Sequence, residues 1–142
     1  CALGLSQLRK LKLWIKGRQA IARRYDEAFA GMPAVRPLHT QPDVSHAYHL
    51  YVIMLDLVKL RVKREAVFAA LRAEGIGVNV HYIPVHLHPF YQKRFGTGPG
   101  TCPAAESAYE RILSLPIFPA MTDRDAEDVI AAVCKVIKAY AA

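Results

Sequence analysis

Apolar residues recur at helical spacing through the start of the chain: Leu8, Leu11, Trp14 or Ile15, Ile21, Tyr25, and Ala28 or Phe29. The spacing predicts one long helix from about residue 3 to 30, stopped by Gly31 and Pro33. "MPAVRPLHTQPD" then reads as an exposed connector, because its three prolines punctuate any regular element. Tyr48 to Leu55 is apolar at both alternating sets of positions, which predicts a central strand covered on two sides. Arg64 to Glu74 carries Val67, Phe68 and Leu71 on one helical face and stops at Gly75, a residue suited to the left-handed cap.

From Ile76 the period changes to two. Ile76, Val78, Val80 and Tyr82 share an apolar face, and Gly77, Asn79, His81 and Ile83 share the other. This predicts a second strand with Asn79 and His81 pointing together, ended by Pro84 and Pro89. Gly96, Gly98, Pro99 and Gly100 form a loose loop, followed by a helical patch near Ala104 to Arg111 and a third, short extended segment in "ILSLPIFP". Thr122 caps a last helix with acids at its start, Lys135 and Lys138 near its end, and Ala126, Val129, Ile130, Val133, Ile137 and Tyr140 on one face. The order predicts an α/β domain: a sheet of about three strands packed by helices.

The 142 residues, 53% hydrophobic and 22% charged, fit a single globular domain. No apolar run approaches a membrane span, and the opening residues lack the charged start and apolar core of a leader, so a signal peptide is not expected. Three unclustered cysteines argue against a disulfide framework or thiolate metal site and favour a reducing cytoplasm. The net charge of +7 lies entirely in residues 1 to 24, which hold seven bases and no acid. One basic helix without a groove-reading motif is a solvated or docking face, so nucleic acid is not expected as a partner.

Candidate chemistry concentrates in "NVHYIPVHLHPFYQKRF", Asn79 to Phe95. Its three histidines lack a neighbouring carboxylate or thiolate to complete a metal site, so none is assigned. No serine lies between residues 46 and 106 to serve as a nucleophile there. From Gly75 to Ala105 there is no acid at all, while Lys93, Arg94 and the histidines offer donors, so a phosphorylated or nucleotide-linked ligand meets no like-charge repulsion. His81 and His86 also read as polar groups satisfied at a strand end. "GTGPG" lacks the Lys-Ser/Thr ending of a phosphate cradle and is read as a flexible loop.

Taken in order, "ALGLSQLRKL", "AYHLYVIML", "LRAEGIGVNVHYIPVHLHPFY" and "CPAAESAYERILSLPIFPAMTDRDAEDVI" resemble the C-terminal domain of the DegT/StrS sugar aminotransferases over nearly the whole chain. "HYIPVH" is most similar to members that aminate UDP-linked 4-keto-6-deoxy hexosamines, as in pseudaminic acid synthesis. The resemblance implies a pyridoxal-phosphate (PLP) enzyme of the aspartate aminotransferase fold, a homodimer with interfacial active sites, taking an amine from glutamate to a nucleotide-linked keto-deoxy sugar. It implies that residues 1 to 142 are the single small domain, the first helix running on from an N-terminal cofactor domain that is absent. None of the eight lysines has the sequence context of the family's cofactor lysine, so neither catalytic nor cofactor-binding residues are expected, and this polypeptide alone is expected inactive. His81 and Tyr82 match the family's sugar-side pair, His86 matches the second histidine of that motif, and Asn79 joins them through the face it shares with His81. Two readings without chemistry stand beside this one: a free-standing nucleotide-sugar binding module, and a protein-interaction module using the basic helix. Removing a large domain is also expected to expose Leu11, Trp14 and Ile21 and to promote self-association.

Overall fold

A computed structural model describes all residues from 1 to 142. The first helical stretch is broken in two, α1 (Ala2–Leu8) and α2 (Leu11–Phe29). At the break the Lys10 N–H turns to the carbonyl of Gln7, three residues back. No residue of α1 is buried, so no packing enforces continuity across a run of bases. Leu3, Leu5, Leu8, Leu11 and Leu13 are exposed, whereas Ile21, expected on that exposed surface, is buried with Ala22, Tyr25 and Phe29.

The proline-rich stretch is more than a connector. Val35–Pro37 form β1, which pairs antiparallel with the central strand β2 (Tyr51–Leu55) through the register Val35↔Leu55 and Pro37↔Ile53. The proline sits at an edge, where a missing N–H costs no ladder bond. β2 starts three residues later than its apolar pattern suggested, because Tyr48 has φ of +45°, outside the extended region. Tyr51, Ile53 and Leu55 are buried, but Val52 and Met54 only half so; one face of the sheet is closed and the other partly open.

α3 (Arg64–Ala73) matches its pattern and closes on Gly75 at φ +81°. α4 (Pro89–Phe95) was not foreseen: Pro89 starts it at the first helical position and Gly96, at φ +65°, ends it. α5 (Pro103–Tyr109) leads into β3 (Ile112–Leu115), and α6 (Asp123–Tyr140) opens with a capping box between Thr122 and Asp125. β3 pairs antiparallel with β2, Tyr51 opposite Leu115 and Ile53 opposite Leu113, giving the order β1-β2-β3.

The count of three strands agrees with expectation, but their membership differs: β1 replaces the stretch from Ile76. That stretch makes only one bridge, Asn79 with Ser114, so no ladder holds its alternation past Val80. α2, α3 and α6 cover the closed face, where Tyr25, Phe29, Ile53, Leu55, Val67, Leu71, Leu113 and Val133 join one core. Val52 and Ser114, register partners on β2 and β3, project to the opposite face. No helix is long and apolar enough to cross a membrane.

Candidate functional site

The site is built on the outer edge of β3. Asn79 and Ser114 exchange both backbone hydrogen bonds, at 3.1 and 2.8 Å, laying the chain beside the sheet for one residue pair. Ser114 is buried, and its hydroxyl shares a hydrogen bond with His81 Nδ1 at 2.8 Å. The half-buried imidazole is thereby pinned through one nitrogen, and Nε2 is left without a protein partner.

Tyr82 does not lie on the core face assigned from the alternating pattern. It is 73% exposed, its ring edge-on to His81 with centroids 4.6 Å apart. The reason is a long-range bond: once the single bridge has passed, the hydrogen bond to Ser114 takes His81 inward and the next side chain turns to solvent. His81 and Tyr82 are adjacent and complementary, one pinned and one free.

Asn79 does not join His81. Its Oδ1 accepts from the Val80 N–H at 2.8 Å, and the side chain lines a separate hollow of about 330 Å³ with Arg64, Glu65, Phe68, Val80, Ile83 and Tyr109. There the buried Arg64 donates to Glu65 at 2.7 Å and lies 5.0 Å from the Tyr109 ring centroid.

His86 lies on a short 3-10 turn, Val85–Leu87, with only 10% of its side chain exposed. Its Nε2 bonds Glu106 Oε1 at 2.8 Å. Glu106 also accepts from the Gly100 N–H at 2.9 Å on both oxygens and from the Cys102 N–H at 3.2 Å. The Gly100 amide first, then His86, hold the Glu106 carboxyl below its ordinary value of 4.5. Gly100 takes φ of +88°, which suits a residue without Cβ. Thr97 closes the same loop by donating to the His86 carbonyl at 2.9 Å.

Sequence reasoning therefore missed two residues. Ser114 lay hidden as one polar position in a buried strand. Glu106 was signalled only by ending the acid-free stretch within the first turn of a proline-started helix. Both come from elements distant in sequence from the histidines they hold. The donors Lys93 and Arg94 stand exposed on α4, whose Phe90, Tyr91 and Phe95 are exposed as well. A second hollow of about 430 Å³ at the start of β2 is lined by His39, His46 and His49, which were not singled out.

The three-stranded antiparallel sheet packed by helices is an α/β arrangement shared with solved aminotransferases of fold type I. Residues 1–134 match the DegT/DnrJ/EryC1/StrS aminotransferase family, and the chain belongs to that family. It is 46% identical over 138 residues to the spore coat polysaccharide biosynthesis protein SpsC of Bacillus subtilis, covering 96% of this chain and 36% of SpsC. Among solved structures it resembles PseC of Helicobacter pylori, an aminotransferase of pseudaminic acid biosynthesis, with a TM-score of 0.88 and 29% identity over 98% of this chain and 37% of PseC. It also resembles the PMP-form of Spr1654 from Streptococcus pneumoniae, with a TM-score of 0.86 and 30% identity over 96% of this chain and 34% of that one. The chain spans about a third of the length of these relatives.

Proposed function

We propose that this chain is the sugar-facing domain of a PLP-dependent aminotransferase that moves an amino group from glutamate to a nucleotide-linked keto-deoxy sugar. The observation that carries the reading is the His81–Tyr82 pair: an imidazole pinned to Ser114 at 2.8 Å with a free Nε2, beside a tyrosine 73% exposed. Such a pair offers hydrogen bonds to hydroxyl and carbonyl oxygens and an aromatic wall to a sugar ring. Family membership supports the reaction class, and the likeness to PseC, an aminotransferase of pseudaminic acid biosynthesis, supports a sugar substrate; the UDP-linked 4-keto-6-deoxy hexosamine is what the resemblance of "HYIPVH" implies.

PLP, when bound, supplies the electron sink for transamination. This chain's residues do not fit it by themselves. All eight lysines are exposed, and Lys135 is tied to Glu74 at 2.8 Å, whereas a lysine that joins a cofactor needs a sheltered setting that lowers its pKa. No chemical step is therefore assigned to these residues. His81 and Tyr82 bind and orient the sugar, His86 shapes the loop beside them, and Asn79 lines the adjoining hollow. A homodimer in the cytoplasm completes the proposal.

The test is conversion of UDP-linked 4-keto-6-deoxy hexosamine by the complete protein with PLP and glutamate, read as the amino sugar by mass spectrometry. His81→Ala and Tyr82→Ala are each expected to lower kcat/KM roughly tenfold or more, the loss of one strong contact. Absence of any amino sugar across a panel of nucleotide-linked keto sugars would sink the reading.

A further inference from the structure

We propose that Glu106 is a positioning residue of the sugar site, holding Tyr82 in place through His86. The proposal rests on the reading of His81 and Tyr82 as the sugar contacts and assigns a role that their own chemistry does not reveal. Tyr82 lies between two anchors: His81 on its N-terminal side is fixed to Ser114 at 2.8 Å, and His86, four residues beyond it, is fixed to Glu106 at 2.8 Å. The link between them contains Pro84, whose ring locks φ and stiffens the span. Release of either anchor would leave Tyr82 on a tethered arm with many orientations, and ordering it again on binding costs affinity.

The chemistry of the second anchor suits this task. Glu106 gathers the His86 ring N, the Gly100 N–H and the Cys102 N–H on one carboxylate, closing the loop that carries α4. His86 has 10% and Glu106 22% of the side chain exposed, so both are spent on each other and on the loop. His86 therefore acts through Tyr82 and not by touching the ligand. Glu106 brings a negative charge into a stretch otherwise free of acids, and its three donors occupy that charge. The basic residues Lys93 and Arg94, both exposed, remain free to meet an anionic ligand.

The experiment uses the complete enzyme and the variant Glu106→Gln, which keeps the size but replaces one acceptor oxygen by a donor facing the Gly100 amide. KM for the nucleotide-linked keto sugar is expected to rise roughly tenfold, and the sugar half-reaction to suffer several-fold more than the glutamate half-reaction. Amide exchange at Gly100 and Cys102 is expected to accelerate by roughly tenfold or more, reporting the open loop without reference to activity. His86→Gln, which keeps a side-chain N–H for Glu106, should retain a sugar KM within about threefold of wild type, while His86→Ala should resemble Glu106→Gln.

An unchanged sugar KM in Glu106→Gln, with Gly100 and Cys102 deprotected, would overturn the proposal. Equal loss of both half-reactions would overturn it too, since that is the signature of a merely structural role. Wild-type enzyme that converts no nucleotide-linked keto sugar would instead refute the parent reading, and the positioning role would fall with it.

Discussion

The hydroxyl of Tyr51 on β2 donates to Asp26 Oδ1 on α2 at 2.6 Å, and this bond ties the central strand to the helix that covers it. The Tyr51 ring meets Tyr25 edge-on at 4.9 Å, and Tyr25 in turn donates to the Pro116 carbonyl at 2.9 Å. Two buried phenols thus carry polar links through the apolar layer between α2 and the sheet. Tyr51→Phe keeps the ring and removes the donor; it should lower stability by about 1–2 kcal/mol in urea unfolding, with an unchanged m-value.

The same two tyrosines set an alkaline limit. Burial raises both phenols above their ordinary value of 10.0, and the bond to Asp26 raises Tyr51 further. A raised folded-state pKa means that the folded chain binds more protons than the unfolded one once the pH passes the unfolded value. Their contribution is therefore fully present below about pH 10 and lost as the pH rises beyond it. Stability measured from pH 8 to 11 should be flat first and fall afterwards, and Tyr51→Phe should make the fall shallower.

Leu71 on α3 is fully buried in the core beside α6. Leu71→Ala should cost about 2–5 kcal/mol, through lost transfer energy and the cavity left behind. Arg24 on α2 instead pairs with Asp123 and Glu127 at the start of α6, where the acids are 91% and 67% exposed. Arg24→Ala should cost no more than about 1 kcal/mol, and less in high salt. A larger loss for Arg24 than for Leu71 in thermal unfolding would contradict this ranking.

Thr122 accepts from the Asp125 N–H at 3.2 Å, and Asp125 returns the bond by accepting from the Thr122 N–H at 2.8 Å. Thr122→Ala removes one half of the box and should cost about 1 kcal/mol; Thr122→Ser should be nearly neutral. Asp125 is held below its ordinary value of 3.8, chiefly by the Thr122 hydroxyl and then by its backbone amide. The support of the ionised carboxylate is thus present above the ordinary value and lost as the pH falls through the lowered one. The penalty of Thr122→Ala should accordingly shrink in acid, as a chemical-denaturation series at falling pH would show.

α3, α6 and the apolar cores of β2 and β3 were legible in the sequence because their signals are local. A cap, a period and a run of buried residues fall within one element, and the backbone there obeys its own neighbours. The family resemblance likewise rested on contiguous motifs, and "HYIPVH" directed attention to His81, Tyr82 and His86. What the sequence could not determine depended on partners elsewhere in the chain. Val35–Pro37 is a strand because β2 offers it a ladder, and the period-two stretch from Ile76 loses its strand because β3 offers a single bridge. Only tertiary structure decided that Tyr82 faces solvent, that Asn79 and His81 part, and that Ser114 and Glu106 hold the two histidines. A side chain's direction at the end of an element is set by whichever long-range hydrogen bond captures its neighbour, and no local pattern encodes that bond.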